Sequence, residues 1–203
     1  MDDVLKIFYQ LISKISEIQK EDLQGCIMAS AKLVYGGKRI CRDYQVKIEY
    51  ENKRGMSLSA WGTDDTGETA CSLNVKLMKQ KNEPQKPERE KNREHWLEHK
   101  TEWQEIWVSE GQVEEYLQKT GDTNTIHRGE KAVVPGLYMV CLCMDKCREL
   151  FQKYENMQMK FVSPVHVGER IEIHSIKHDK KDSMEYAIVH GKEHIVAAKL
   201  IFT

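Results

Sequence analysis

The chain has 203 residues, of which 40% are hydrophobic and 31% are charged, and its formal net charge at neutral pH is −1. Such a composition is typical of a globular protein with one large domain or two small similar units, and a charge near zero argues against a nucleic-acid-binding protein, which needs a basic surface. No apolar run approaches the roughly 20 residues that span a bilayer, and the acidic start MDDVLK is unlike the basic beginning of a secretory signal, so we expect a cytoplasmic protein that does not bind membranes.

The first half is predicted to be one helix followed by antiparallel strands. Residues 4–18 carry apolar side chains at helical spacing, so this helix should pack against a sheet or a partner. Apolar and polar residues then alternate in residues 43–50, 56–60 and 73–77, which is the pattern of half-buried strands. The connecting segments ENKRG and TDDTGE are typical of hairpin turns.

A charged segment separates the two halves. Residues 79–102 are dominated by charge and contain two prolines, which favours a solvated linker over a binding arm. His95 and His99 lie four residues apart and could chelate zinc on a helix, but the adjacent glutamate of an HExxH motif is missing. We therefore predict no metal site.

The cysteines are predicted to be buried thiols. None of them forms a CxxC pair, and core thiols in a reducing compartment are favoured over a disulfide or a metal site. The six are Cys26, Cys41, Cys71, Cys141, Cys143 and Cys147.

The second half begins with a predicted strand at EIWVS and continues with two helices. Ser109 is placed to cap the first helix, and Gly121 is placed to end it in the left-handed conformation. The second helix is predicted to start at Pro135. Its first half is apolar on nearly every side, which indicates that protein surrounds it. Three strands follow, in ERIEIHSIKH, SMEYAIVHG and HIVAAKLIF.

A weak repeat relates the two halves. VYGGKRI (34–40) and VHVGERI (165–171) match at Val, Gly, Arg and Ile, and NVKLM and AAKLI close what we expect to be equivalent strands. Two copies of one unit are therefore predicted. We assign the first unit to residues 1–78, the linker to 79–104 and the second unit to 105–203.

Asp122 and His127 flank a glycine turn just before the buried helix that starts near Gly136. A carboxylate and a neutral imidazole can together activate water and deliver a proton near neutral pH. The free amides at a helix N-terminus can bind an oxyanion or a polarised carbonyl. The alternative is structural, with Asp122 in an Asx turn and His127 at the surface, and spacing alone favours this alternative.

The segment YLQKTGDTNTIH, followed by VVPGLYM, resembles the hydratase-2 motif of the MaoC-like dehydratases, a hot-dog-fold family. The agreement covers Gly121, Asp122, Asn124, Ile126 and His127 and the glycine-containing helix start. The resemblance implies an α+β hot-dog fold with two tandem units, each an antiparallel sheet wrapped around a central helix. It further implies that the first unit is degenerate, with residues 1–20 as a reduced central helix, and helps to hold an acyl chain.

The resemblance also implies a reaction, the reversible hydration of a trans-2-enoyl thioester to an (R)-3-hydroxyacyl thioester. Asp122 and His127 would hold the water and move its protons, and Asn124 would orient the pair. The Gly136 amide would bind the thioester oxygen. No metal and no redox cofactor would be needed, the substrate would be carried on CoA or an acyl carrier protein, and a homodimer is compatible with this arrangement.

Two departures from the motif leave other functions open. Thr125 replaces the usual proline, and residues 128–134 form a shorter segment than the one that overhangs the substrate tunnel in the family. The alternatives are a hot-dog acyl thioesterase and a non-catalytic acyl-thioester-binding subunit. The remaining histidines are expected to be surface or packing residues: His166, His174, His178, His190 and His194.

Overall fold

The computed structural model describes residues 2–18, 23–36, 41–79, 100–146, 153–176, 183–191 and 195–203. These residues form helices α1 (Asp2–Glu17), α2 (Glu110–Thr120) and α3 (Gly136–Lys146) and strands β1 (Cys26–Tyr35), β2 (Asp43–Asn52), β3 (Gly55–Thr63), β4 (Thr69–Lys79), β5 (Lys100–Trp107), β6 (Asn156–Phe161), β7 (Arg170–Ile176), β8 (Met184–His190) and β9 (Val196–Phe202). A short 3-10 turn spans Thr125–His127.

All nine strands belong to one antiparallel sheet with the order β2-β3-β4-β1-β6-β9-β8-β7-β5. Apart from β5 at one edge, the order is symmetric about the β1–β6 pair, because β4, β3 and β2 follow on one side as β9, β8 and β7 follow on the other. The matched segments NVKLM and AAKLI lie in β4 and β9, which occupy equivalent places. The proposed unit boundaries stay a prediction, and β5 starts at Lys100, inside the range assigned to the linker.

Helix α1 confirms the predicted amphipathic helix. Its apolar stripe is buried, with Phe8 and Leu11 fully inaccessible, and it packs on β2, β3, β4 and α2. Burying a side chain of this size contributes about 1.5–3 kcal/mol, so the stripe is a sufficient reason for the helix to lie on the sheet.

Helix α2 begins and ends where its capping residues predict. The Ser109 Oγ accepts a hydrogen bond from the Gln112 N–H, and the Gln112 Oε1 accepts one from the Ser109 N–H at 2.9 Å, which completes a capping box. Gly121 ends the helix with φ 72°, a left-handed conformation that glycine adopts without a Cβ clash.

Helix α3 is buried on nearly every side, as predicted. It starts one residue later than expected, at Gly136. Pro135 instead lies at the cap, because its carbonyl accepts from the N–H groups of Tyr138 and Met139. The helix therefore presents the Gly136 amide at its amino end.

Strands β1 and β6 were not predicted, although they are the two central strands. In β1 the alternation is broken by a register shift between Met28 and Ser30, and small residues occupy Ala29 to Ala31, so the period of two is lost. In β6 the alternation is intact, with Met157 and Met159 buried, but the strand is short and poor in β-branched residues. The three strands predicted in the first half, both hairpin turns and the last three strands are confirmed.

The cysteines in the described residues are free thiols, and all are buried except Cys41, which is partly exposed. The Cys41 Sγ donates a hydrogen bond to the Cys71 Sγ at 2.8 Å, and burial raises the pKa of the Cys141 thiol to about 12. Among the described helices, none is long and apolar enough to cross a bilayer. Some predicted features lie outside the described residues: Cys147, His178, His194, His95, His99 and most of the linker.

Candidate active site

The turn after α2 holds Asp122 in a fixed orientation. Its Oδ1 accepts a hydrogen bond from the backbone N–H of Asn124 at 2.9 Å, so Asp122 does form the Asx turn considered above. The 3-10 turn that follows carries His127 back towards it, and the Asp122 Oδ2 lies 3.7 Å from the His127 Nε2. The structural role of Asp122 therefore leaves its second oxygen available to the imidazole.

His127 is held as one tautomer. Its Nδ1 lies 2.7 Å from the Val133 carbonyl oxygen, and because a carbonyl only accepts, Nδ1 carries the proton and Nε2 is an acceptor. Burial lowers the pKa of His127, although the Asp122 charge and the bond to Val133 act in the opposite direction. A neutral imidazole thus faces Asp122 with its lone pair, and one water molecule can donate to both groups.

Asn124 fastens this turn to the first half of the chain. The side chain is buried, its Nδ2 donates to the Cys26 carbonyl at 2.9 Å, and its Oδ1 accepts from the Gly25 N–H at 3.2 Å. The Oδ1 also accepts from the Ile126 N–H at 3.4 Å and so caps the 3-10 turn, while the backbone N–H of Asn124 bonds Asp122.

Thr125 is held by Gln24, a residue that no sequence pattern predicted to be near the site. The Gln24 Oε1 accepts from both the N–H and the Oγ1 of Thr125, each at 3.0 Å, and the Gln24 Nε2 donates to the Thr123 carbonyl at 3.0 Å. A proline at position 125 would have neither donor. The threonine therefore replaces the rigidity of proline with hydrogen bonds to the other half of the chain.

The pair opens on a cavity of about 380 Å³ that both halves line. Asp122, His127 and Gly136 all line it. A Cβ on Gly136 would meet the ring of Phe161 at 2.9 Å, so glycine is required for this approach. The first half supplies mostly apolar lining residues, none of which was predicted to be part of a site: Ile12, Ile15, Leu23, Cys26, Ile27, Met28, Ala29, Leu77 and Met78.

The segment between His127 and α3 is tied to neighbouring backbone. The Val133 N–H donates to the Ile126 carbonyl and the Val134 N–H to the Val165 carbonyl, each at 2.8 Å. These bonds place the α3 amino end beside the connection between β6 and β7. As the first residue of the helix, Gly136 has no carbonyl of a preceding turn for its N–H, which makes that group suited to a carbonyl oxygen.

No three His, Cys, Asp or Glu side chains of the described residues lie close enough together to hold a metal ion. Titratable or polar lining residues include Asp122, His127, His166, Tyr116 and Ser163. Burial raises the pKa of Tyr116 well above its usual range, so its hydroxyl stays protonated. The arrangement is suited to acid–base chemistry on a small apolar molecule that carries a carbonyl group.

The antiparallel sheet and the enclosed helix α3 define an α+β protein of the hot-dog fold. The chain is similar to a solved MaoC-like dehydratase with a TM-score of 0.71 and 10% identity, over 99% of this chain and 83% of that one. It is also similar to the MaoC-like dehydratase from Phytophthora capsici, with a TM-score of 0.59 and 15% identity over 88% of this chain and 72% of that one.

A protein with a different activity has the same fold. The 12:0-ACP thioesterase from Umbellularia californica has a TM-score of 0.66 and 8% identity, over 98% of this chain and 88% of the thioesterase. No family model and no curated protein matches the sequence. At these identities the comparisons support the fold, and the reaction has to be argued from the site.

Proposed function

We propose that the protein is an acyl dehydratase of the MaoC type, which reversibly hydrates a trans-2-enoyl thioester to an (R)-3-hydroxyacyl thioester. The observation that carries the proposal is the pairing of Asp122 with an unprotonated His127 Nε2 in the lining of a largely apolar cavity. The amino end of α3 lies on the same cavity. A base, a carboxylate and a carbonyl-binding amide are the groups that this addition of water needs.

In the proposed mechanism, the water donates hydrogen bonds to Asp122 Oδ2 and His127 Nε2. The Gly136 N–H binds the thioester oxygen and stabilises the negative charge that develops there when the water oxygen adds to C3. His127 Nε2 takes one water proton, and the resulting imidazolium, stabilised by the nearby carboxylate, gives its proton to the alpha carbon. Atoms balance without any further reactant, and CoA or an acyl carrier protein stays attached throughout.

The test is the loss of the ultraviolet absorbance of the conjugated enoyl group of crotonyl-CoA. Asp122→Asn and His127→Gln should each lower the rate by at least about a hundredfold, because each removes a proton-transfer or water-holding group. Asp65→Asn is the matched control, since Asp65 lies in the exposed turn between β3 and β4. Full activity in either site variant, with melting curves showing that both are folded, would disprove the assignment.

The alternatives differ from hydration in what leaves the enzyme. Hydration gives an intact thioester that is heavier by one water, whereas hydrolysis releases the free thiol. A non-catalytic acyl-thioester-binding subunit would bind crotonyl-CoA without changing the mass of the thioester and without releasing thiol. Mass analysis of the thioester and a thiol assay on the same sample therefore measure hydration and hydrolysis independently, and a protein that only binds gives neither signal.

A further inference from the structure

A second set of reactive side chains lies beside the proposed hydration site. The Ser163 Oγ lies 3.0 Å from the His190 Nε2, and the His190 Nδ1 lies 3.3 Å from the Glu169 Oε2. Ser163 and Glu169 lie near the two ends of the connection between β6 and β7, and His190 ends β8, so this connection and the end of β8 form the chain of contacts. Ser163 also lines the cavity that holds Asp122 and His127.

The hydrogen-bond partners determine which nitrogen of His190 carries the proton. A carboxylate only accepts, so the Glu169 oxygen favours the proton on Nδ1 and leaves Nε2 as an acceptor for the Ser163 hydroxyl. Glu169 is itself held, because its Oε2 accepts the backbone N–H of His166 at 2.8 Å. The hydroxyl has a second, longer acceptor in the Val196 carbonyl at 3.3 Å. Nucleophile, base and orienting carboxylate thus stand in the order of a serine hydrolase triad.

A carbonyl-binding group is available to the same serine. The Val134 N–H bonds the Val165 carbonyl, and residues Val133 and His166 form an antiparallel bridge. Gly136 and Ser163 both line the cavity. A Cβ on Gly136 would meet the ring of Phe161 at 2.9 Å, and Phe161 precedes Ser163 by two residues, so the α3 amino end packs beside the segment that carries the serine. The α3 amino end can therefore face a carbonyl that Ser163 attacks.

We propose that Ser163 is a nucleophile that accepts the acyl group of a thioester bound in this cavity, with His190 as its base and Glu169 as a positioning residue. The Ser163 Oγ bonds to the thioester carbon and its proton passes to His190 Nε2. The carbon–sulfur bond breaks, and the leaving thiolate takes that proton. Water then attacks the serine ester through the same base, and its cleavage returns a proton to Ser163. The sum is thioester plus water giving carboxylic acid plus thiol.

This inference rests on the proposed function for the presence of an acyl thioester in the cavity, but it uses different side chains. The experiment treats the full chain with diisopropyl fluorophosphate and locates the label by peptide mass mapping. In parallel, thiol release from butyryl-CoA is measured, because this saturated thioester cannot be hydrated. We expect the label on Ser163 together with thiol release. Ser16 is an internal control, since it lines the same cavity but donates to the Ile12 carbonyl.

Variants identify the triad. Ser163→Ala should abolish both signals, and His190→Asn should lower both by at least about a hundredfold. Glu169→Gln should lower them by about tenfold, a smaller effect because the Glu169 side chain is 43% exposed and its charge is screened by water. Should one variant fail to fold, as judged by its melting curve, the other still tests the arrangement.

The proposal is overturned by any of three results: no label on Ser163, labelling that His190→Asn and Glu169→Gln leave unchanged, or no thiol release from butyryl-CoA. None of these results would bear on whether the protein hydrates crotonyl-CoA. Conversely, an enzyme that releases thiol from butyryl-CoA but does not hydrate crotonyl-CoA would contradict the proposed function and sustain this one.

Discussion

At the residue scale, the environment of His127 explains how a common side chain becomes a base. Two influences oppose each other: burial favours the neutral ring, while the Asp122 charge and the Val133 carbonyl favour the protonated one. Burial is the larger of the two, so the pKa is lowered. The Val133 carbonyl also directs the unprotonated nitrogen towards Asp122, so one backbone contact fixes both the tautomer and the direction of the lone pair.

This balance predicts the pH dependence of both activity and stability. Hydration should be constant above the ordinary histidine range and fall at lower pH, once His127 is protonated. The pKa of His127 is lower in the folded chain, so the unfolded chain takes up the proton first as the pH falls below about 6.5. The free energy of unfolding therefore decreases as the pH falls from that value to the folded pKa of His127. Urea unfolding at pH 7.5 and 5.5 should show a smaller loss of stability in His127→Gln than in the original chain. An equal loss in both would contradict a lowered pKa.

At the scale of elements, helices were predicted better than central strands because their signals are local. Ser109 and Gly121 fix the two ends of α2 through contacts within a few residues. The central strands β1 and β6 are instead stabilised by pairing with strands distant in sequence, and β1 contains a bulge that hides its alternation. Asp122 and His127 were selected by the motif resemblance, since their spacing alone favoured a structural role, while no pattern pointed to Gln24, about a hundred residues earlier.

The link from Gln24 to the site turn can be tested directly. Gln24→Ala removes three hydrogen bonds to Thr123 and Thr125. These bonds are solvent-exposed, so we expect a modest destabilisation of about 1 kcal/mol and a rate of hydration lowered by about tenfold, because the turn that positions His127 loosens. Gln118→Ala, in the exposed part of α2, is the matched control.

A graded variant shows whether the hydrogen bonds themselves are responsible. Gln24→Glu keeps the acceptor for both Thr125 donors and loses only the donor to Thr123, so its rate should lie between those of the original chain and Gln24→Ala. A Gln24→Ala enzyme with an unchanged rate of crotonyl-CoA hydration would show that the turn is held by other contacts, of which those of Asn124 are the first to examine.

At the scale of the whole molecule, the site depends on both halves of the chain. The β1–β6 pair joins them into one sheet, and the cavity lies where β1, β4 and α1 of the first half face the turn and α3 of the second. The second half therefore carries the proposed chemistry, and the first half supplies much of the apolar wall. The resemblance implied both roles, but it did not identify the wall residues, because they are ordinary core residue types that no local pattern distinguishes from packing residues.

Because the first half supplies the apolar wall and the second half the reactive side chains, a substitution in the first half should alter substrate preference and leave Asp122 and His127 in place. Ala29 lines the cavity from β1, and Ala29→Leu would fill part of it. A methylene group in an apolar pocket is worth about 1–3 kcal/mol, so the ratio of kcat/KM for dodecenoyl-CoA to that for crotonyl-CoA should fall by at least about tenfold. Lys32→Leu is the control, because Lys32 lies on the same strand with its side chain exposed to solvent. If Ala29→Leu slows both substrates equally, the first half does not hold the acyl chain. A decrease in kcat/KM for dodecenoyl-CoA alone places the acyl chain against β1, with the thioester at the Gly136 end of the cavity.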